Sequence, residues 1–267
     1  MNSVPSPEPR GTREPAVPPV RIVTASAPLS WIVRGWQDFL RAPAPSLIHG
    51  LIAAAWGILV LGIARDHLYI VSGAFSAFVL VAPVLVTGLY ELSRLLALGE
   101  QPTMRHACAA WRRSGGPLFG FGLGLMLIGS YWVLVSSVLI ASLVQTPITG
   151  FEDFLRFVVL SKDSNLFLVW MSFGGVVAAL VFAASAVSVP LLLDRQVDLL
   201  TAVLTSMQTV GANPFVMAWW AVLIMIGTTL GIATLLLGLI VVVPVLGHAT
   251  WHAYVDLVDA SELPPRR

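Results

Sequence analysis

Lysine and cysteine are all but missing from this chain. Lys162 is the sole lysine among 15 basic residues, and Cys108 is the sole cysteine. One thiol cannot close an internal disulfide, and no cysteine-based zinc or redox framework can be built from it. Charge of either sign is scarce as well: charged residues make up 11% of the chain, against about 25% in soluble domains. A formal net charge of +1 gives no field that would draw in nucleic acid, so no nucleic-acid partner is expected. Catalytic signatures are missing too. His248 to His252 reads HATWH, without the glutamate of a zinc-protease helix, and there is no GxSxG elbow and no GKS or GKT phosphate loop.

What fills the chain instead is apolar: hydrophobic residues reach 57% and the mean hydropathy is +0.86. That composition belongs to a polytopic membrane protein, and the preference for arginine points to a bacterial source. Residues 1–28 are proline-rich without an apolar period, which predicts a disordered tail. Residues 29–259 then form the transmembrane domain, and 260–267 a short C-terminal tail.

A crossing helix needs roughly 20 largely apolar residues. Counted that way, spans run from Ser46 to Ala64, Tyr69 to Tyr90, Pro117 to Val144 and Asn165 to Leu193. The last apolar stretch, Phe215 to Tyr254, is about twice the length of one span, so it must turn back on itself. We place that turn near Gly231, within Gly227 to Thr234. The expected fold is therefore an all-α integral membrane protein of six helices, arranged as three antiparallel hairpins with amphipathic cytoplasmic segments between them. All the basic residues except Arg65, Arg156 and Lys162 then lie on one side, which puts both termini in the cytoplasm of an inner-membrane protein. Trp31, Trp36, Trp111, Trp219, Trp220 and Trp251 fall near the same ends, as an aromatic belt would.

The hairpins look like variations on one unit. Each follows a proline (Pro45, Pro117, Pro214) and carries a second proline in its returning helix (Pro83, Pro190, Pro244), where a kink is expected. Four and eight residues after that second proline lie Thr87 and Glu91, Asp194 and Asp198, and His248 and His252. A spacing of four puts each pair on one helix face. If the three faces meet, His248 and His252 with Asp194, Asp198 or Glu91 can ligate a divalent metal, and the imidazoles alone can ligate haem. Nothing in the sequence requires either cofactor. Helix ends are also where polar residues return in any membrane protein, so an interfacial role for these groups stays open. Glycines at Gly120 and Gly124, and at Gly227 and Gly231, have the spacing of close helix contacts. Arg105, His106, Arg112 and Arg113 are placed to touch anionic headgroups.

Three local words carry a family resemblance: PVLGHATWHAYVDLV at Pro244 to Val258, GWQDF at Gly35 to Phe39, and GLYELSR at Gly88 to Arg94. Through them the chain resembles the bacterial integral membrane family named domain of unknown function 2189, over about Leu29 to Asp259. The resemblance implies six membrane helices and no established activity. Three function classes remain. A non-enzymatic membrane component would bind the lipid bilayer and protein partners or a second copy of itself. A small-solute or ion transporter would use the kinked repeats, and a metal or haem protein would use the His248/His252 pair.

Overall fold

The computed structural model describes residues 17–64, 82, 85–146, 148, 150–161 and 165–266. Among these residues the chain is helical, with only isolated antiparallel bridges at Val20–Val258 and Arg195–Pro265. The α-helices among the described residues are, in order, α1 (Ala27–Arg41), α2 (Pro43–Ala64), α3 (85–97), α4 (Met104–Leu143), α5 (Phe151–Phe154), which runs on into a π-helical turn at Leu155–Val159, α6 (Leu166–Ser185), α7 (Ser188–Asp194), α8 (Leu199–Ala212), α9 (Pro214–Ala233) and α10 (Leu239–Leu257). Among the described residues, five stretches are long and apolar enough to cross a membrane: Pro43–Val60, Gly115–Leu143, Leu166–Asp194, Pro214–Ala233 and Leu239–Leu257. The second expected span, with its kink at Pro83, lies mostly outside the described residues.

The spine of the molecule is α10, against which α1 and α2 both pack. Glycine makes the approach possible. A Cβ at Gly35 of α1 would sit 2.6 Å from the Val245 carbonyl oxygen, and one at Gly50 of α2 would sit 2.0 Å from that of Ile240. Residues 17–26 and 259–266 dock on the same end of the molecule. The Arg21 amide donates to Leu257 O at 2.8 Å and Val23 N to Asn213 Oδ1 at 3.0 Å. At the other terminus Gln196 N donates to Pro264 O and Arg266 N to Asp194 O, both at 2.9 Å. Backbone pairing, which hydropathy does not report, holds these segments.

Several boundaries moved for identifiable reasons. The segment from 165 to 194 is two helices, broken at Ala186 and Val187. Pro190 has no amide hydrogen and its ring crowds the carbonyl four residues back, which is Ala186. Here Pro190 breaks the span, whereas Pro244 stays inside a continuous α10. The Ser206 hydroxyl of α8 accepts the Val187 amide at 3.2 Å, and Ser188 Oγ donates to Ala202 O at 3.0 Å. The Val187 amide freed by the break is thus satisfied from a neighbouring helix, as a membrane interior demands. In α4 the axis breaks at Gly115, whose φ of 43° favours glycine. The final turn falls at 234–238, later than the expected site near Gly231, with Leu235 and Leu236 at φ 56° and 69°. Gly231 has another job: a Cβ there would meet the Leu239 side chain at 2.6 Å. The Gly227/Gly231 contact is therefore real, whereas Gly124 has nothing within 4 Å.

Units one and three share a local design. Each has an amphipathic helix, one non-helical residue and a proline that starts a spanning helix. That residue is Ala42 (φ −130°, ψ 58°) in one case and Asn213 (φ −126°, ψ 51°) in the other. The matching proline in unit one is thus Pro43, not Pro45. Helix α8 is turned inside out relative to a soluble protein, and α1 adds an apolar outer face to a buried one that holds Trp31 and Phe39. Helix α8 buries Thr201, Thr205, Ser206 and Thr209 and exposes Leu200, Leu204 and Met207. Helix α1 buries Asp38 and exposes Leu29, Val33, Trp36 and Leu40. The aromatic belt also needs correcting: Trp31, Trp220 and Trp251 are buried in the core, and Trp31 meets Trp220 edge-on at 5.5 Å. Trp36 and Trp219 stay exposed.

Candidate functional site

Three polar residues climb one side of α10 at intervals of four: His248, His252 and Asp256. Each finds a partner on a different element. His248 is fully buried, with Nε2 2.9 Å from Ser46 Oγ on α2 and Nδ1 2.7 Å from Ser93 Oγ on α3. His252 Nε2 lies 2.8 Å from Asp38 Oδ2 on α1. Asp256 accepts from Trp31 Nε1 at 2.8 Å and from both terminal nitrogens of Arg34.

Hydrogen-bond accounting fixes the state of His248. Ser46 Oγ donates its only hydrogen to Ala42 O at 2.6 Å, so towards His248 it can only accept. Nε2 therefore carries the hydrogen, and in the neutral ring Nδ1 accepts from the Ser93 hydroxyl. Ser93 Oγ lies against the Asp38 carboxylate as well and shares its single hydrogen between that carboxylate and Nδ1, so α10, α1, α2 and α3 meet in one buried chain, His252–Asp38–Ser93–His248–Ser46. Burial by itself would raise the Asp38 pKa. The hydrogen bonds from His252 and Ser93 and the adjacent imidazoles outweigh it and hold the carboxyl below its ordinary value.

The other expected ligands are engaged elsewhere. Glu91 is buried and takes a two-pronged bond from Arg94, at 2.7 and 2.9 Å, with Arg113 completing the clamp. Burial pushes its pKa up, and the two guanidinium groups more than reverse that, leaving it lowered. Asp194 accepts from Tyr254 Oη and Arg195 Nε, each at 2.8 Å. Asp198 caps α8 by accepting from Thr201 N at 2.7 Å. Tyr254 ties Asp194 to α10, and Ser93 ties α3 to it, yet the five residues do not share one centre. No group of three or more His, Cys, Asp or Glu side chains among the described residues is placed to hold a metal ion.

Sequence reasoning missed Asp38, Ser46 and Ser93. Asp38 sits among the polar residues Arg34, Gln37 and Arg41 of an amphipathic stretch, which points to solvent, and a lone serine carries no pattern. The one available signal was the triplet spacing of His248, His252 and Asp256, which requires three polar partners from whatever packs there. The headgroup contacts also divide. His106 Nδ1 accepts from Thr103 N at 3.0 Å in a helix cap, and Arg113 is drawn to Glu91, which leaves Arg105 and Arg112 exposed.

Over residues 70–194, just under half the chain, the sequence matches the family model described as Predicted integral membrane protein (DUF2189). The span contains the stretch from Gly88 to Arg94. It leaves out Gly35 to Phe39 and Pro244 to Val258, so the family match is narrower than the expected Leu29 to Asp259. Among curated proteins and among solved structures, nothing matches the chain. The chain is an integral membrane protein with several apolar helices.

Proposed function

We propose that this protein is a non-enzymatic component of a bacterial inner membrane, crossing it six times with both termini in the cytoplasm. In this reading its amphipathic helices hold the bilayer surface and bind anionic lipid there. The inverted polarity of α8 and the apolar outer face of α1 carry the proposal. Seven apolar side chains on their outer faces, from Leu29 to Met207, are 40 to 66% exposed, while the threonines, serine and aspartate point inward. A helix built this way is matched to hydrocarbon on its outside. The first part of α4 holds the equivalent place before Pro117, and its outer face carries Arg105 and Arg112. Arginine there meets phosphate headgroups as a bidentate donor.

The metal or haem reading ranks below this one because both nitrogens of His248 and Nε2 of His252 are engaged by protein groups. Transport ranks lower because the buried polar chain ends where Ser46 donates to Ala42 O. The test is thermal stability in nanodiscs of phosphatidylcholine with and without phosphatidylglycerol. Anionic lipid should raise Tm, and Arg105→Gln with Arg112→Gln should abolish that increment while leaving Tm in pure phosphatidylcholine unchanged. An increment that survives in the double variant refutes the proposal.

A further inference from the structure

Two buried polar atoms among the described residues have no hydrogen-bond partner, and they face each other: His49 Nε2 on α2 and Trp111 Nε1 on α4. Their rings meet edge-on with centroids 5.9 Å apart. Gly88 of α3 makes room for both, since a Cβ there would lie 2.3 Å from His49 Nε2 and 3.1 Å from Trp111 Nε1. Only 3% of His49 is exposed, so bulk water does not satisfy it. Leaving such atoms unpaired in a buried site costs about 1–3 kcal/mol each.

Their chemistry is complementary. His49 Nδ1 lies 2.7 Å from the Pro45 carbonyl oxygen, which can only accept, so Nδ1 carries the hydrogen. In the neutral ring Nε2 is then a bare lone pair, and the indole N–H opposite it is a bare donor. A group that donates to one and accepts from the other completes both bonds, and a hydroxyl does this with one oxygen.

His49 also lines a cavity of about 50 Å³ whose other walls are apolar, among them Ala53, Leu85, Leu89 and Val243. That is room for a few heavy atoms. Ordered buried water makes about three hydrogen bonds, and only His49 among the wall residues offers a polar side chain. An alcohol needs only the two bonds available, and its carbon chain suits the remaining wall.

We propose that His49 and Trp111 form a binding site for the hydroxyl group of a membrane-soluble alcohol, with its apolar chain starting in the cavity beside His49. The test measures Tm of the purified protein in a detergent without hydroxyl groups, with added 1-dodecanol, its methyl ether, or dodecane. Dodecanol should raise Tm by several degrees, the ether and the alkane should not, and Trp111→Phe should remove the effect by deleting only the N–H donor. Ala53→Leu narrows the cavity without touching either polar atom and should weaken the response. Equal shifts with alcohol and ether, an undiminished response in Trp111→Phe, or no shift with any probe overturns the proposal; the last result leaves a water molecule as the occupant.

Discussion

The seam between α10 and its neighbours α1, α2 and α3 is held together differently from the α4–α6 pair. Half of the α10 span is buried, whereas no residue of α4 from Leu123 to Leu143 is buried. Along the seam backbone meets backbone at glycines, and ionisable groups are paired across elements. Between α4 and α6 the contacts are mainly aromatic: Trp132 lies 5.7 Å from both Trp170 and Phe173, with Trp170 Nε1 donating to Ser136 Oγ at 2.9 Å. The lesson is physical. In a bilayer apolar side chains gain little by leaving lipid for protein, so close packing and polar pairing decide which helices adhere. Only the seam has both in quantity.

Removing the central group of the seam gives the sharpest contrast. His248→Ala empties a fully buried position and removes the bonds that join Ser46 and Ser93 through α10, and it should destabilise by about 3 kcal/mol in thermal or denaturant unfolding. A drop under about 1 kcal/mol would make the seam no different from the rest of the protein. Acid should act on the same region. The folded-state pKa values of Asp38 and Glu91 lie below their ordinary 3.8 and 4.5, so their stabilisation is complete above those values and is lost as pH falls through the lowered ones. Unfolding followed from pH 6 to pH 2 should show stability falling below about pH 4, with a smaller fall in Glu91→Gln. The smallest effect belongs to the other region: Trp132→Leu should destabilise by about 1 kcal/mol or less. A loss as large as that of His248→Ala would erase the distinction.

Much of the bundle was legible because hydropathy measures what a span needs. The starts of α2 and α9 at prolines, the turn between α9 and α10, and the amphipathic segments that precede those prolines all follow from patterns of apolar residues. The candidate site was legible in half. His248 and His252 stood out through their spacing, whereas Asp38, Ser46 and Ser93 are ordinary residues until α1, α2 and α3 pack against α10. Glu91, Asp194 and Asp198 stood out equally and went to arginines, a tyrosine and a helix cap. Polar spacing tells which face a group occupies, and its partner depends on which helix arrives there.

By itself the sequence determined that the chain enters a membrane, where most helices lie and which positions would be polar at their ends. These are local properties, set by transfer free energy and backbone chemistry. Tertiary structure alone decided that α10 is the spine, that α8 turns its apolar face outward, and that His49 and Trp111 face each other across Gly88. Those outcomes depend on contacts between residues far apart in the chain, which no local pattern records.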